Sequence, residues 1–222
     1  MNIAIFGGTF DPIHSGHLRA AKAAARRFRL DRILFIPSGT PPHKVHDRLT
    51  PFPHRYAMVA LACGADRRFV PSLLEAPKRD DRPHYSIETV RRLKRRLGPR
   101  DRIFFLIGAD AFLDLPHWKQ YRQLFSMVNF IVVSRPGFRN GKVWKIVPQK
   151  LAPPRRQRGS SQAIRLRETT VDVLTGVNSP VSSHEIRKAV RSGRSVAGLV
   201  PPLVEQYISK EALYRPGSRG RK

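Results

Sequence analysis

The residues that most constrain this chain stand at its start, where the apolar run Asn2-Ile3-Ala4-Ile5-Phe6 meets Gly7-Gly8 and continues as Thr9-Phe10-Asp11-Pro12-Ile13-His14-Ser15-Gly16-His17. A short apolar run closed by glycines reads as a buried strand. The glycine pair turns the backbone sharply and can aim amides at an anion, and Asp11-Pro12 carries the turn onward. From Leu18 the chain becomes alanine-rich, Arg19 to Phe28, with strong helix propensity. The loop therefore ends at a helix N-terminus, where unpaired N–H groups and the positive end of the dipole favour phosphate.

His14 and His17 stand three apart at this junction, so within a helix they project from about the same face and reach one phosphate. A metal site needs three or four ligands, and no cysteine or carboxylate lies at a helpful spacing, so no metal-ligating set is assigned. The plain alternative is a pair of solvated histidines at a helix start. Neither GxxxxGK[ST] nor GxGxxG occurs, which sets aside the two best-known phosphate loops.

Four later segments repeat the theme of polar groups placed beside an apolar run. Pro37-Ser38-Gly39-Thr40-Pro41-Pro42-His43-Lys44 follows the apolar Ile33 to Ile36. Proline stiffens the loop that carries Lys44, whose ammonium neutralises polyphosphate without demanding fixed geometry. His84-Tyr85-Ser86-Ile87-Glu88-Thr89-Val90 precedes a helical stretch, and Gly108-Ala109-Asp110 opens a segment running through Leu115-Pro116-His117-Trp118-Lys119 after the strand Ile103 to Ile107. Trp118 offers a face for a flat cationic ring, or else is a core aromatic. Asp110 suits a ribose hydroxyl, a metal-bound water or a helix cap. In Val181-Ser182-Ser183-His184-Glu185-Ile186-Arg187, Ser182 and Glu185 have the spacing of a capping box, and Arg187 one turn in makes a second anion site.

The stretch GGTFDPIHSGH resembles the T/HxGH signature of the nucleotidylyltransferase superfamily, which transfers AMP or CMP onto a phosphate and releases pyrophosphate. The later segments are similar to the PxxxPPHK, SYTxxT, GADxxxxLPxW and ISSTxIR segments of bacterial nicotinate-nucleotide adenylyltransferases. His84 stands for the serine and Ser86 for the threonine of SYT, His184 stands for the threonine of ISST, and Lys119 replaces a common aromatic. The resemblance implies adenylyl transfer from ATP to nicotinate mononucleotide, giving deamido-NAD and pyrophosphate in NAD biosynthesis. It implies catalytic roles for His14, His17, Lys44 and Arg187. It places ATP on Gly7, Gly8, Thr9, Phe10, His14, His17, Gly108, Asp110, Ser182, Ser183 and Arg187. It places the mononucleotide on Lys44, Tyr85, Ser86, Trp118 and Lys119, with the ring on Trp118 and the carboxylate on amides near Ser86 or on Lys119. Mg²⁺ is expected to arrive with ATP. A nicotinamide mononucleotide, or another small phosphate, is the alternative substrate.

Strands alternating with helical runs predict an α/β fold, a Rossmann-like parallel sheet with helices on both faces, and the resemblance implies that it is of the nucleotidylyltransferase type. Strands are expected at Asn2 to Phe6, Arg32 to Pro37, Arg68 to Pro71, Arg102 to Gly108, Asn129 to Ser134 and Thr170 to Leu174. Helices are expected from Thr50-Pro51 to Cys63, from Ile87 to Leu97, from Gln120 to Phe125 and from Pro202 to Ser209, the last packing through Leu203, Val204 and Tyr207. Residues 1–214 are read as one nucleotidylyltransferase domain. The single cysteine, Cys63, forms no internal disulfide and reads as a small buried side chain.

Charge is the feature this reading explains least. The chain carries 42 Lys and Arg against 16 Asp and Glu, a formal net charge of +26. Between Arg139 and Arg167 there are nine Lys or Arg and no acid, which predicts a mobile, exposed loop over 139–167, and the basic tail 215–222 is expected to be disordered. The rival class is a basic nucleic-acid-binding protein. It requires aromatics interleaved with the charges, and these regions offer only Trp144 and Tyr214. Weak, salt-sensitive attachment to RNA or DNA is expected, with no specific nucleic-acid partner. No apolar run of membrane length and no signal-peptide pattern is present, so no membrane partner and a cytoplasmic location are expected. No sequence feature marks an oligomeric interface.

Overall fold

The computed structural model describes residues 1–40, 49–77, 82–134, 141–151, 163–177 and 180–215. Its strands are β1 (Asn2–Gly8), β2 (Arg32–Pro37), β3 (Phe69–Pro71), β4 (Arg102–Gly108), β5 (Asn129–Val133), β6 (Ala163–Arg165) and β7 (Thr170–Leu174). They form one sheet in the order β3-β2-β1-β4-β5-β7-β6. The helices are α1 (Ser15–Arg27), α2 (Phe52–Cys63), α3 (Ser86–Lys94), α4 (Ala109–Leu113), α5 (Tyr121–Met127), α6 (Gly141–Ile146), α7 (Ser183–Arg191) and α8 (Pro202–Lys210).

The central strands are near-continuous apolar runs because both faces of the sheet are covered. Ile3 to Phe6 in β1 and Ile103 to Ile107 in β4 are all buried. Side chains alternate between two cores, as a period of two requires. Ala4, Phe6 and Leu106 meet the helices α1, α2, α7 and α8, whereas Ile5, Phe105 and Ile107 meet α3, α5 and α6. In α1 the buried residues include Ala20, Ala21, Ala24 and Ala25, small side chains on the sheet-facing stripe. In α3, Ile87, Val90 and Leu93 recur every third residue and are buried. Each fully buried aliphatic or aromatic side chain of this kind contributes about 1.5–3 kcal/mol of transfer free energy.

The connections run β1 to β2 to β3 toward one edge and β4 to β5 to β7 toward the other, so the direction of progress reverses between β1 and β4. In open α/β sheets such a reversal leaves a crevice beyond the carboxyl ends of the two strands. Here those ends are Gly8 and Gly108.

The structure corrects the sequence expectations in three places. The sheet is not wholly parallel, since β6 joins the edge antiparallel to β7. The stretch 139–167 is not an exposed loop where it is described. It contains α6 and β6, because Val143, Val147, Ile164 and Leu166, spaced among the cations, are buried against the α3 and α5 side of the sheet. Residues 152–162, with Pro153-Pro154 and Gly159-Ser160-Ser161, lie outside the described residues, as does the tail beyond Arg215. Leu203 faces outward at 53% exposure, and α8 packs instead through Val204 and Ile208 with Tyr207 alongside. Positions 204 and 208 are one turn apart and share a face, whereas 203 is rotated off it. No described helix is long and apolar enough to cross a membrane.

Candidate active site

The turn that leaves β1 places two imidazoles against each other. His14 is the residue that caps α1 and His17 lies in its first turn. Their rings stack with centroids 3.7 Å apart. The His14 backbone N–H donates to His17 Nδ1 at 3.2 Å. That bond fixes the tautomer, because an accepting Nδ1 leaves the proton of the neutral ring on Nε2. Burial, followed by the neighbouring His14, holds the His17 pKa well below the usual histidine range. His17 is thus a neutral hydrogen-bond donor at pH 7. Phe10 braces it edge-on, with centroids 5.1 Å apart. Phe10 itself is 2% exposed and adopts φ 48°. Its side chain therefore belongs to the core, and only its backbone belongs to the turn.

Around these rings lies a hollow of about 370 Å³, lined by Gly7, His14, Gly16, His17, Gly108, Asp110, Ser182 and Ser183 among others. Histidines from one end of the chain and serines from the other converge here. The capping box forms as its spacing predicts: Ser182 Oγ accepts from the Glu185 N–H at 3.2 Å, and Glu185 Oε2 accepts from the Ser182 N–H at 3.2 Å. It opens α7 toward the hollow. Asp110 is in the first turn of α4, whose cap is Gly108, so the carboxylate lines the cleft rather than capping the helix.

Arg187 is not among the residues lining that hollow. Its Nη1 donates to the Asp11 carbonyl at 2.7 Å, and Ser183 Oγ donates to the Pro12 carbonyl at 2.9 Å. Both tie α7 to the first turn, so the two regions meet, with the guanidinium serving the loop. Lys44 lies outside the described residues.

A second hollow of about 350 Å³ opens on the other side of the same two strand ends. Its walls include Ile5, Ile36, Phe105 and Ile107, with Tyr85, Ser86, Trp118 and Lys119 at its polar side. Trp118 is half-buried, rests on Phe105 with centroids 6.1 Å apart, and donates from Nε1 to Asp114 Oδ2 at 3.2 Å. Ser86 is the first residue of α3, and the early amides of a helix have no intrahelical acceptor. Lys119 is engaged within the protein: Nζ is 2.9 Å from Glu88 Oε1 and 4.1 Å from the centroid of the Tyr85 ring. Its role as a partner for a ligand carboxylate thus competes with an ion pair already formed.

Gly7 and Gly108 line both hollows. A Cβ at either position would meet no protein atom within 4 Å, so it would project into the space where the two cavities join.

Two buried ionisable residues were not singled out from the sequence. Glu75 lines the second hollow and accepts from Thr89 Oγ1 at 2.7 Å. Burial, opposed by that hydrogen bond and by Arg92, raises its pKa to about 7. Arg55 is 2% exposed. Its guanidinium donates to the Thr50, Thr9 and Ser38 carbonyls, each at 2.8 Å, and more weakly to Gly39 at 3.4 Å. Burial lowers its pKa, with Asp11 opposing. The signal for Arg55 was available, since it shares a helical face with Met58, Val59 and Ala62, all fully buried. Glu75 carried no comparable local pattern.

Among the described residues no group of three or more His, Cys, Asp or Glu is placed to hold a metal.

Comparison with known proteins adds the following. A family model described as cytidylyltransferase-like matches residues 5–189. The probable nicotinate-nucleotide adenylyltransferase of Solibacter usitatus is 41% identical over 214 residues, covering 96% of this chain and 100% of that one. The protein of the same description from Geotalea daltonii is 39% identical over 222 residues, covering 98% and 100%. Among solved structures, the Plasmodium falciparum nicotinic acid mononucleotide adenylyltransferase complexed with NaAD has a similar fold, with a TM-score of 0.69, 20% identity and coverage of 96% and 97%.

Proposed function

The chain belongs to the cytidylyltransferase-like family and, within it, to the nicotinate-nucleotide adenylyltransferases, and from that premise we propose that it transfers AMP from ATP to nicotinate mononucleotide, giving deamido-NAD and pyrophosphate. The observation that carries this reading is the pair of hollows joined at Gly7 and Gly108. One is walled by imidazoles and the start of α7, and suits a triphosphate. The other has an apolar floor with an indole at its edge, and suits a flat pyridinium ring. Two nucleotides seated in them bring their phosphates together over the glycines.

The 5′-phosphate oxygen of the mononucleotide attacks the α-phosphorus of ATP. The bond from that phosphorus to the bridging oxygen breaks, and the electron pair leaves with pyrophosphate. The attacking oxygen is already anionic at neutral pH, so alignment and charge stabilisation are the protein's main tasks. His17 serves as a donor from Nε2 because its Nδ1 is occupied and its surroundings keep it neutral. His14, Ser182 and Ser183 supply further polar groups around the phosphates, Arg187 acts through the histidine-bearing turn by holding the Asp11 carbonyl, and Lys44 is assigned to neutralising the leaving pyrophosphate. Trp118 stacks on the pyridinium, and the first amides of α3 at Ser86 receive its carboxylate. Mg²⁺ brought with ATP would supply charge neutralisation at the phosphates, and among the described residues lining this hollow Asp110 is the carboxylate that would hold it or its waters.

The decisive experiment measures pyrophosphate release from ATP with nicotinate mononucleotide and nicotinamide mononucleotide offered separately. Faster release with the nicotinate compound is expected. No release with either removes the proposed activity, and a preference for the amide moves the substrate to the nicotinamide series.

A further inference from the structure

The buried cation Arg55 has no role in the chemistry proposed above, yet it sits where three segments of the cleft come together. Thr9 belongs to the turn after β1, Ser38 follows β2, and Thr50 precedes α2. Both Thr9 and Ser38 line the second hollow. One guanidinium donates to the carbonyls of all three at 2.8 Å. No carboxylate is hydrogen-bonded to it among the described residues. A buried charge hydrogen-bonded only to main-chain carbonyls, with the Asp11 carboxylate and the Phe52 ring as its other neighbours, is costly compared with an apolar side chain of similar volume, so its presence is better explained by the geometry it imposes than by stability.

The surrounding contacts complete a clasp. The Thr50 carbonyl accepts from Arg55 Nε, while the Thr50 N–H donates to Asp11 Oδ2 at 3.1 Å. Asp11 is 4% exposed, and its other oxygen accepts from the Tyr214 hydroxyl at 2.6 Å. The Asp11 carbonyl is the one that holds Arg187. The segment after β2 is seated as firmly on its other side, since a Cβ on Gly39 would come within 2.1 Å of the Glu75 carbonyl. A residue larger than glycine cannot sit there without moving the backbone. The turn carrying the histidines and the chain entering and leaving residues 40–50 are therefore held at one separation from beneath the cleft.

We propose that Arg55, which touches no reactant, is the positioning residue that sets the phosphate-receiving turn against the segments on either side of residues 41–48, with Asp11 and Tyr214 as the other half of the clasp. This inference rests on the adenylyl-transfer reading. It predicts a specific kinetic signature, because small misplacement of aligned reactants costs turnover more than ground-state binding.

The test is steady-state kinetics on Arg55→Lys, Tyr214→Phe and Met58→Ala, beside the unaltered chain, with folding followed by circular dichroism and Tm. Lysine keeps the charge but cannot reach three carbonyls at once. Arg55→Lys is expected to lower kcat by roughly 10- to 100-fold with KM for both substrates within about threefold. Met58, buried on the same helix face, reports the effect of weakened packing alone, and its variant is expected to lose Tm while keeping kcat within about twofold. A kcat for Arg55→Lys within about twofold of the unaltered chain, or an equal loss in Met58→Ala, overturns the inference. Should Arg55→Lys fail to fold, Tyr214→Phe decides, since it removes one hydroxyl from Asp11 with little change of shape. A fall in kcat of about threefold or more supports the clasp, and an unchanged kcat overturns it. Absence of activity in the unaltered chain instead removes the adenylyl-transfer reading.

Discussion

The two hollows meet at the same pair of glycines but are built on opposite plans. The proposed phosphate side draws its polar groups from one turn and three helix starts, each shaped by contacts between near neighbours, as His14 with His17 and Ser182 with Glu185, before Ser183 and Arg187 tie two of them together. The proposed pyridine side draws on side chains that reach each other across elements: Glu75 with Thr89, and Lys119 with Glu88. An anion can be received by backbone geometry and local spacing, because helix starts already present donors. A ring of defined size and charge needs a shaped cavity, and shape comes from packing between distant segments.

The contrast can be broken most severely at His17. On the proposed mechanism its replacement by alanine removes a donor aimed at developing charge, and kcat is expected to fall by about 10²-fold or more. Near-normal turnover would mean that the phosphate side works through backbone and dipole alone.

The next largest effect lies in the ring pocket, and it is one of stability. Glu75 has a pKa of about 7 when folded, against about 4.3 for a free glutamate. The folded chain thus holds a proton that the unfolded chain has released between these values. Stability contributed by the neutral carboxyl is complete below the lower value and is lost as pH rises through the upper one. The loss amounts to roughly 3–4 kcal/mol. Glu75→Gln is expected to be near neutral around pH 4.5 and stabilising by up to that amount at pH 8. Urea denaturation at the two pH values checks this, and a difference that does not vary with pH would show that the carboxyl stays ionised.

A smaller effect separates the two hollows functionally. Trp118→Ala is expected to weaken mononucleotide binding by roughly tenfold through lost stacking and leave ATP affinity almost intact. Calorimetric titration of each ligand reads this directly. Equal losses for both would contradict the division of the cleft. The smallest effect belongs to the cap of α7, where Ser182→Ala is expected to cost about 1 kcal/mol and lower Tm by about 2–4 °C. A scanning melt that finds no shift would mean the box adds nothing beyond the packing of Ile186 and Ala189.

Legibility followed the same division. β2, β4 and β7 fall at the boundaries the apolar runs predicted, and the Ser182 box formed because its partners are three residues apart. The basic stretch misled because charge density outweighed a sparse apolar pattern. Val143, Val147, Ile164 and Leu166 are only four side chains, and their burial depends on a sheet edge supplied by β7. From sequence Lys119 is open to a ligand, because Glu88, thirty-one residues away, cannot be recognised as its partner from spacing.

By itself the amino-acid order determined the central strands, the histidine pair on a helix start and the capped helix near the carboxyl end, since each rests on periodicities or hydrogen bonds within one turn of chain. Tertiary structure alone decided that these pieces face one another across Gly7 and Gly108, that Arg55 holds carbonyls 46 and 17 residues distant, and that Tyr214 reaches Asp11 across 203 residues. The physical reason is that a buried polar group must find a partner somewhere, and only the packed chain says where.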